Sequence, residues 1–384
     1  MRRWAAVAGV VVGLLVLLGG CTWLFETEIT ITPTAGAVHT LVTIRGKGFG
    51  DTQGTSSVSI WATRAPIVSW SDTEIVCRVP VVPTPGGAPV EDSVMVTAYD
   101  APLGFESAPF TVVRGILFST KREGDMEVYV TNPDGSGQTN LSRNTADDSE
   151  PAWSPDGTHV VFEARAAGDA PSLRTMNADG TARFVLTDNP LHYEERPRWS
   201  PDGTRILYAS ELAAPQQLFT IRPDGTQMEQ LTNFNVVGVF DPSWSPDGSR
   251  VVFVVANSFQ ETDTRLVIRS VDQSDARYLT DSGHGDSMPA WSPNGEWIVF
   301  SRLRPSGGSM LMVVRPDGTD EMELTGPGIH FATHPTWSPD GLEIVFAGYR
   351  DAPPTDIFRI DLAAETVYQL TNDPSVDADP FWGS

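Results

Sequence analysis

Pro151-Ala152-Trp153-Ser154-Pro155-Asp156-Gly157 decides the fold, because the chain keeps returning to it. It recurs as Pro197-Arg198-Trp199-Ser200-Pro201-Asp202-Gly203, as Pro242–Gly248, as Pro289–Gly295 with Asn294 in the aspartate position, and as Pro335–Gly341. A shortened sixth copy, Asp379-Pro380-Phe381-Trp382, stands at the end of the sequence. The tryptophans Trp153, Trp199, Trp244, Trp291, Trp337 and Trp382 are separated by 46, 45, 47, 46 and 45 residues. A period of this length marks one supersecondary unit used repeatedly, with function expected where the copies differ.

Each copy is followed by an apolar triplet: Val160-Val161-Phe162, Ile206-Leu207-Tyr208, Val251-Val252-Phe253, Ile298-Val299-Phe300 and Ile344-Val345-Phe346. Ile116-Leu117-Phe118 supplies a sixth triplet without a Trp-Ser-Pro-Asp-Gly phrase before it. Outer endings start at Leu141, Leu186, Leu231, Leu279, Leu324 and Leu370, each 12 or 13 residues before the next repeat tryptophan. Four short strands per unit and six units predict an all-β, six-bladed propeller. The first unit lacks an inner strand and the chain ends on an orphan one, so Asp379–Trp382 is expected to close the first blade. Ser-Pro-Asp-Gly is turn chemistry: proline sets φ, aspartate accepts backbone N–H groups and glycine takes the left-handed corner. These turns lack the alternating carboxylates and terminal glutamate of a calcium loop. The tryptophans recur in every unit, which is what blade-to-blade packing requires and a binding site does not.

Other segments precede the repeats. Arg2 and Arg3, an apolar run from Ala5 to Leu18, and Leu18-Gly19-Gly20-Cys21 have the charge order of an export signal, in a run short for a membrane span. The ending resembles the lipobox of bacterial lipoproteins, which implies a signal peptide at 1–20, lipid on Cys21 and a tether at 21–27. Thr22 after the cysteine is similar to the pattern that sorts lipoproteins to the outer membrane. Loss of Arg2 and Arg3 moves the formal charge from −23 to −25. Such acidity argues against nucleic acid and against adhesion to anionic lipid by charge, leaving the lipid anchor as the membrane contact. Cys77, in the alternating run Ile75–Val79, reads as a small buried apolar residue.

Residues 28–113 read as short β-branched strands without helical periodicity: Ile29–Ile31, Val38–Arg45, Ser57–Ile60, Ala65–Ser69, Glu74–Val79, Ser93–Tyr99 and Phe110–Val113. Seven strands in this length suit a small immunoglobulin-like sandwich. Thr43-Ile44-Arg45-Gly46-Lys47-Gly48-Phe49-Gly50 and Ser69-Trp70-Ser71-Asp72-Thr73-Glu74-Ile75-Val76 resemble the signature segments of IPT/TIG domains. The three glycines are read as turn formers, since no helix and no Lys-Ser/Thr pair follows them. The Trp-Ser-Pro-Asp-Gly repeats of residues 114–384 resemble those of TolB-type propellers. Val271–Asp275 and Ile360–Ala364 depart from that pattern by lacking the glycine of the second turn.

In a propeller, the loops entering the inner strands and those between the two middle strands open on one face. Third before each tryptophan stand Glu150, Arg196, Asp241, Met288, His334 and Asp379; fifth before it stand Asp148, Glu194, Val239, Asp286, Ala332 and Asp377. Glu150, Asp241, Asp379, Asp148, Glu194, Asp286 and Asp377 are therefore expected near the channel mouth. Of six histidines, His192, His284 and His330 each lie seven residues before a repeat tryptophan, with His334 nearby, a set that could hold a divalent metal. Lys121, Arg122, Arg165, Arg302, Arg304 and Arg350 are expected to form a basic rim around an acidic mouth. No other cofactor and no G-x-S-x-G elbow is evident. The leading reading is a lipid-anchored, non-catalytic binding protein of the cell envelope, contacting a protein or glycan through one propeller face. The alternative resembles the oligogalacturonate lyases: His284, His330 and His334 would hold a metal, with Arg302 or Arg350 neutralising a uronate. Oligomeric state is not legible.

Overall fold

The computed structural model describes residues 29–383, except 83, 85–88, 99–103, 190, 273–274, 282 and 327. The expected signal peptide, Cys21 and the tether lie outside the described residues. The rest is all-β: a two-sheet sandwich, then six four-stranded blades.

One sandwich sheet pairs Thr30–Thr32, Leu41–Arg45, Glu74–Arg78 and Ile67–Trp70; the other pairs Ala35–Gly36, Gly104–Val112, Val90–Ala98, Ser57–Ile60 and Thr63–Arg64. Alternation sends Val42, Ile44, Ile75 and Cys77 into a core they share with Val58, Ile60, Val94 and Val96. Burial pushes the Cys77 thiol up to about 11, so it behaves as an apolar side chain. The glycine-rich segment is a turn. Gly48 and Gly50 have φ of 81° and 85°, buried Phe49 packs edge-on to Trp70, and the Trp70 indole donates to the carbonyls of Phe49 and Gly50. The last two long strands run nine residues each, further than the expected spans, and two two-residue strands have no counterpart in the expectation.

In blades 2 to 6 the order is inner Trp-bearing strand, apolar triplet strand, third strand, short outer strand. The triplets are buried on both faces because each blade is sandwiched between two others, so they read as continuous apolar runs rather than alternating ones. Blade 1 is completed from the far end of the chain. Asp377–Phe381 lies antiparallel to Ile116–Thr120, with Phe381 opposite Leu117 and Asp377 opposite Thr120. Each Ser-Pro-Asp-Gly turn has one hydrogen-bond pattern: Asp156 Oδ1 accepts from the Ser154 hydroxyl (2.6 Å) and the Thr158 N–H (3.0 Å), and Gly157 takes φ 72°. Asn294 does the same through its Oδ1. The two glycine-lacking second turns are held differently: Asp275 caps the Ser270 N–H, and Asp361 accepts from Ala363 and Ala364. The threonine of each Leu-Thr ending accepts a third-strand N–H, for example Leu173 to Thr187 at 2.9 Å and Ile357 to Thr371 at 2.8 Å. A side chain thereby takes over where the short outer strand stops.

The sandwich sits against the face that carries the Trp-Ser-Pro-Asp-Gly turns. Arg114, 4% exposed, donates from Nη2 to the carbonyls of Thr84 (2.6 Å) and Pro155 (2.7 Å). Asn132 Oδ1 accepts from the Ala37 N–H and the Thr40 hydroxyl, both at 2.9 Å. Val38 and Val81 pack on the core between blades 1 and 2. The opposite face keeps its loops clear of these contacts.

Candidate functional site

Every inner strand breaks its ladder at the same place. The register shifts between Ser149 and Ala152, Glu195 and Arg198, Phe240 and Ser243, Ser287 and Ala290, and Thr333 and Thr336; in the closing strand the shift lies between the partners of Leu117 and Ser119. The cause is local: the third residue before each tryptophan is followed by proline, which offers no N–H to the ladder. The chain bulges there, and Glu150, Arg196, Asp241, Met288, His334 and Asp379 all adopt positive φ, between 49° and 56°. Left-handed backbone at a non-glycine residue costs on the order of 1–3 kcal/mol. All six sites accept it, and the bulge aims all six side chains at the propeller axis.

The six side chains form a bonded ring. Arg196 bridges Asp241, through a short ion pair, and Glu150, with Nε 3.8 Å from Oε1. Arg198 reaches Glu150 Oε2 at 3.4 Å. His334 Nε2 faces Glu150 Oε1 at 3.2 Å and Asp379 Oδ1 at 3.3 Å. Backbone joins in: the Met288 N–H donates to Asp241 at 3.0 Å and the Glu150 N–H to Asp379 at 3.4 Å. On one side of the ring lies a cavity of about 100 Å³ walled by repeat tryptophans and prolines; on the other is a mouth of about 490 Å³ lined by Asp147, Glu163, Glu195, Lys121 and Arg165. The ring is the partition between them.

Its electrostatics follow from burial and proximity. Burial alone would raise the Glu150 pKa, but Arg196, His334 and Arg198 outweigh it and hold the carboxyl well below the usual range. Burial would lower His334; Glu150 and Asp379 reverse that and hold it above the ordinary histidine value. Asp379 is raised by burial and then by the charge of Glu150. At the mouth, burial followed by Glu150, Glu195 and Asp379 pushes Glu163 up to about 8.

Four expected mouth residues are elsewhere. Asp148, Asp286 and Asp377 are fully buried and Glu194 is 1% exposed. Strand alternation puts positions three and five on one face, but the left-handed residue at position three breaks the alternation, so only the third-position side chains reach the axis. Asp286 takes the Nε and Nη2 edge of Arg302 with both its oxygens, at 2.6 and 2.9 Å, and Asp377 receives Arg122 at 2.6 Å. Asp148 accepts from Asn144 at 2.5 Å, and burial lifts it to about 6.

The basic rim is correspondingly not a free cationic surface. Arg302 is buried between Asp286 and Glu321, Arg122 is engaged by Asp373 and Asp377, Arg304 pairs with Glu323 at 2.7 Å, and Arg165 lies 3.5 Å from Asp147. Arg350 donates to the Val367 carbonyl, and Lys121 is exposed at the mouth. Of the four histidines, only His334 is in the channel; His284 and His330 are exposed on loops and His192 is half-buried on another. Among the described residues, the one group of three metal-type ligands is Glu150, His334 and Asp379. The ligands and arginines of the lyase reading are therefore not gathered. Arg198, Glu163 and Glu195 were not singled out from sequence; the Xaa-Pro step repeated before every tryptophan was the available signal.

The loop face opposite the sandwich also carries apolar side chains: Leu191 is 82% exposed and Phe259 95%, with Tyr193 and Val376 each somewhat less than half exposed. These belong to loops entering an inner strand (Leu191, Tyr193, Val376) or joining the middle strands (Phe259), which share one face.

Comparison with known proteins agrees with this architecture. The IPT/TIG domain family matches residues 29–112, and the family described as TolB beta propeller domain, PD40, matches residues 168–333. TolB of Acinetobacter baumannii superposes with a TM-score of 0.62 at 14% identity, over 76% of this chain and 79% of that one. A putative TolB of Agrobacterium tumefaciens gives 0.53 at 18%, over 68% and 90%. Hydrazine synthase of Kuenenia stuttgartiensis gives 0.57 at 17%, over 70% and 46%. At these identities the likeness is one of fold. No curated protein matches the sequence.

Proposed function

Since the chain is an IPT/TIG domain followed by a TolB-like PD40 β-propeller, we propose that it is a non-catalytic binding scaffold of the cell envelope. It is held there by lipid on Cys21, at the outer membrane or cell surface, and contacts a protein partner through the loop face of its propeller. The observation that carries this is the asymmetry of the two faces. The sandwich occupies the turn face, while the opposite face presents Leu191 and Phe259 almost fully to water around an acidic mouth. Exposed large apolar groups beside a cleft in which carboxylates outnumber cations favour a partner segment that is both basic and apolar. The engaged rim arginines remove the reason to expect an acidic glycan.

A photo-crosslinking residue placed at Phe259 in cells should give a discrete adduct, and the same residue at Met322, on an outer strand, should not. Leu191→Ser with Phe259→Ser should abolish capture by a crosslinker placed at Tyr193 without lowering Tm. Adducts of equal yield at 259 and 322, or capture indifferent to the double substitution, would overturn the proposal.

A further inference from the structure

The geometry points to a divalent transition-metal site in the channel, formed by Glu150, His334 and Asp379, that clips the closing strand to both of its neighbours. This rests on the channel alone and is independent of the scaffold reading.

Three observations carry it. First, one imidazole nitrogen faces two carboxylates: His334 Nε2 stands 3.2 Å from Glu150 Oε1 and 3.3 Å from Asp379 Oδ1. A single nitrogen has one hydrogen or one lone pair and cannot make two good hydrogen bonds. Both contacts also exceed the roughly 2.7–2.9 Å of a charge-assisted N–H···O bond. Ligands held tetrahedrally at about 2.0–2.1 Å from zinc stand about 3.3–3.4 Å apart, close to the two nitrogen–oxygen spacings here, and the three ligand atoms lie within 4.8 Å of one another.

Second, the other imidazole nitrogen has a partner behind the ring. Thr333 Oγ1 donates its hydrogen to Met288 Sδ at 2.7 Å and lies 3.2 Å from His334 Nδ1. Its remaining lone pairs can accept Nδ1–H, so that an ion displacing the proton Nε2 holds beside the two carboxylates meets an Nε2 lone pair aimed between them. Third, Ser119 Oγ is fully buried and lacks a partner of hydrogen-bond geometry, and Ser119 stands opposite Ala378, the neighbour of Asp379, in the closing pair of strands. It can serve a water on the open fourth position.

The cations nearby do not fill the site. Arg198 is on Glu150 Oε2, and Arg196 is paired closely with Asp241, its Nε standing 3.8 Å from Glu150 Oε1, beyond hydrogen-bond reach. One nitrogen and two oxygens with a vacant position suit zinc or its neighbours better than calcium, which takes six to eight oxygens. The ligands come from three blades: Asp379 from the strand that completes blade 1, Glu150 from blade 2 and His334 from blade 6. An ion there would therefore secure ring closure.

The test is equilibrium dialysis of the chelator-washed full chain against zinc chloride, with zinc counted by emission spectroscopy. One zinc per chain is expected, with binding lost in His334→Gln and in Asp379→Asn and unchanged in His284→Ala plus His330→Ala. Thr333→Val keeps all three ligands and the fold but releases Nδ1, and should weaken zinc roughly tenfold or more. Cobalt(II) in the unsubstituted chain should show the strong visible absorption of a tetrahedral centre. No retained zinc, zinc binding indifferent to His334→Gln, or an octahedral cobalt spectrum would overturn the assignment. Partner capture at Phe259 can succeed or fail without moving the zinc count, so the two proposals fail separately.

Discussion

Replacing Trp382 by alanine tests whether the C-terminal strand closes the wheel. Trp382 is 5% exposed and packs with Ile116 of blade 1 and Val345 of blade 6, and its indole N–H donates to the Arg114 carbonyl at 3.2 Å. Truncating a buried tryptophan costs about 3–5 kcal/mol, and orphaning a buried carbonyl adds about 1 kcal/mol. Trp199 holds the equivalent place in blade 3, but it is half-buried and its indole nitrogen has no acceptor. Less apolar area is lost there and no hydrogen bond, so Trp199→Ala should cost nearer about 2 kcal/mol. Against typical stabilities of about 5–15 kcal/mol, the difference is measurable. Urea unfolding of the full chain, followed by far-ultraviolet circular dichroism, should place the Trp382→Ala midpoint clearly below that of Trp199→Ala. An equal or reversed order would refute the argument that the last strand bears on the whole ring rather than on one blade.

Other outcomes follow from the charge pairs and turns. Arg302→Ala strands Asp286, which is fully buried, and should destabilise by about 3–5 kcal/mol, whereas Arg165→Ala, from an exposed pair with Asp147, should cost less than about 1 kcal/mol in the same urea assay. Comparable losses in the two would contradict the placement of Arg302. The Ser245 hydroxyl and the Ser249 N–H hold Asp247 at about 2, below the 3.8 of a free aspartate. Its contribution is therefore complete above the free value and is lost as pH falls through the folded one. Asp156 and Asp202 are lowered by the same contacts, with burial opposing. Changing all three to asparagine should flatten the decline of Tm between pH 4 and 2 while sparing the turn, as Asn294 does natively; superimposable Tm–pH curves would count against the reading.

Much of the fold was legible because its determinants are local. Ser154, Asp156 and Gly157 make their turn within five residues, and the apolar triplets announce strands buried on both faces. The closing strand was legible too, since a missing inner strand at one end of the repeats matched a surplus one at the other. The channel was only partly legible. Position counting found the six third-position residues, but ordinary strand alternation also sent Asp148, Glu194, Asp286 and Asp377 to the mouth. The left-handed bulge at the Xaa-Pro step separates the two sets, and alternation does not contain it.

The rim arginines show the same boundary. Arg122 and Arg302 look like free loop charges in the text, yet their carboxylate partners Asp377 and Asp286 lie 255 and 16 residues away. Period, turn chemistry and strand pattern belong to the sequence, because each is settled by neighbours along the chain. Which charges meet on the axis belongs to the tertiary structure. Glu150 of blade 2 and His334 of blade 6 stand 184 residues apart and touch only because ring closure brings both to the axis.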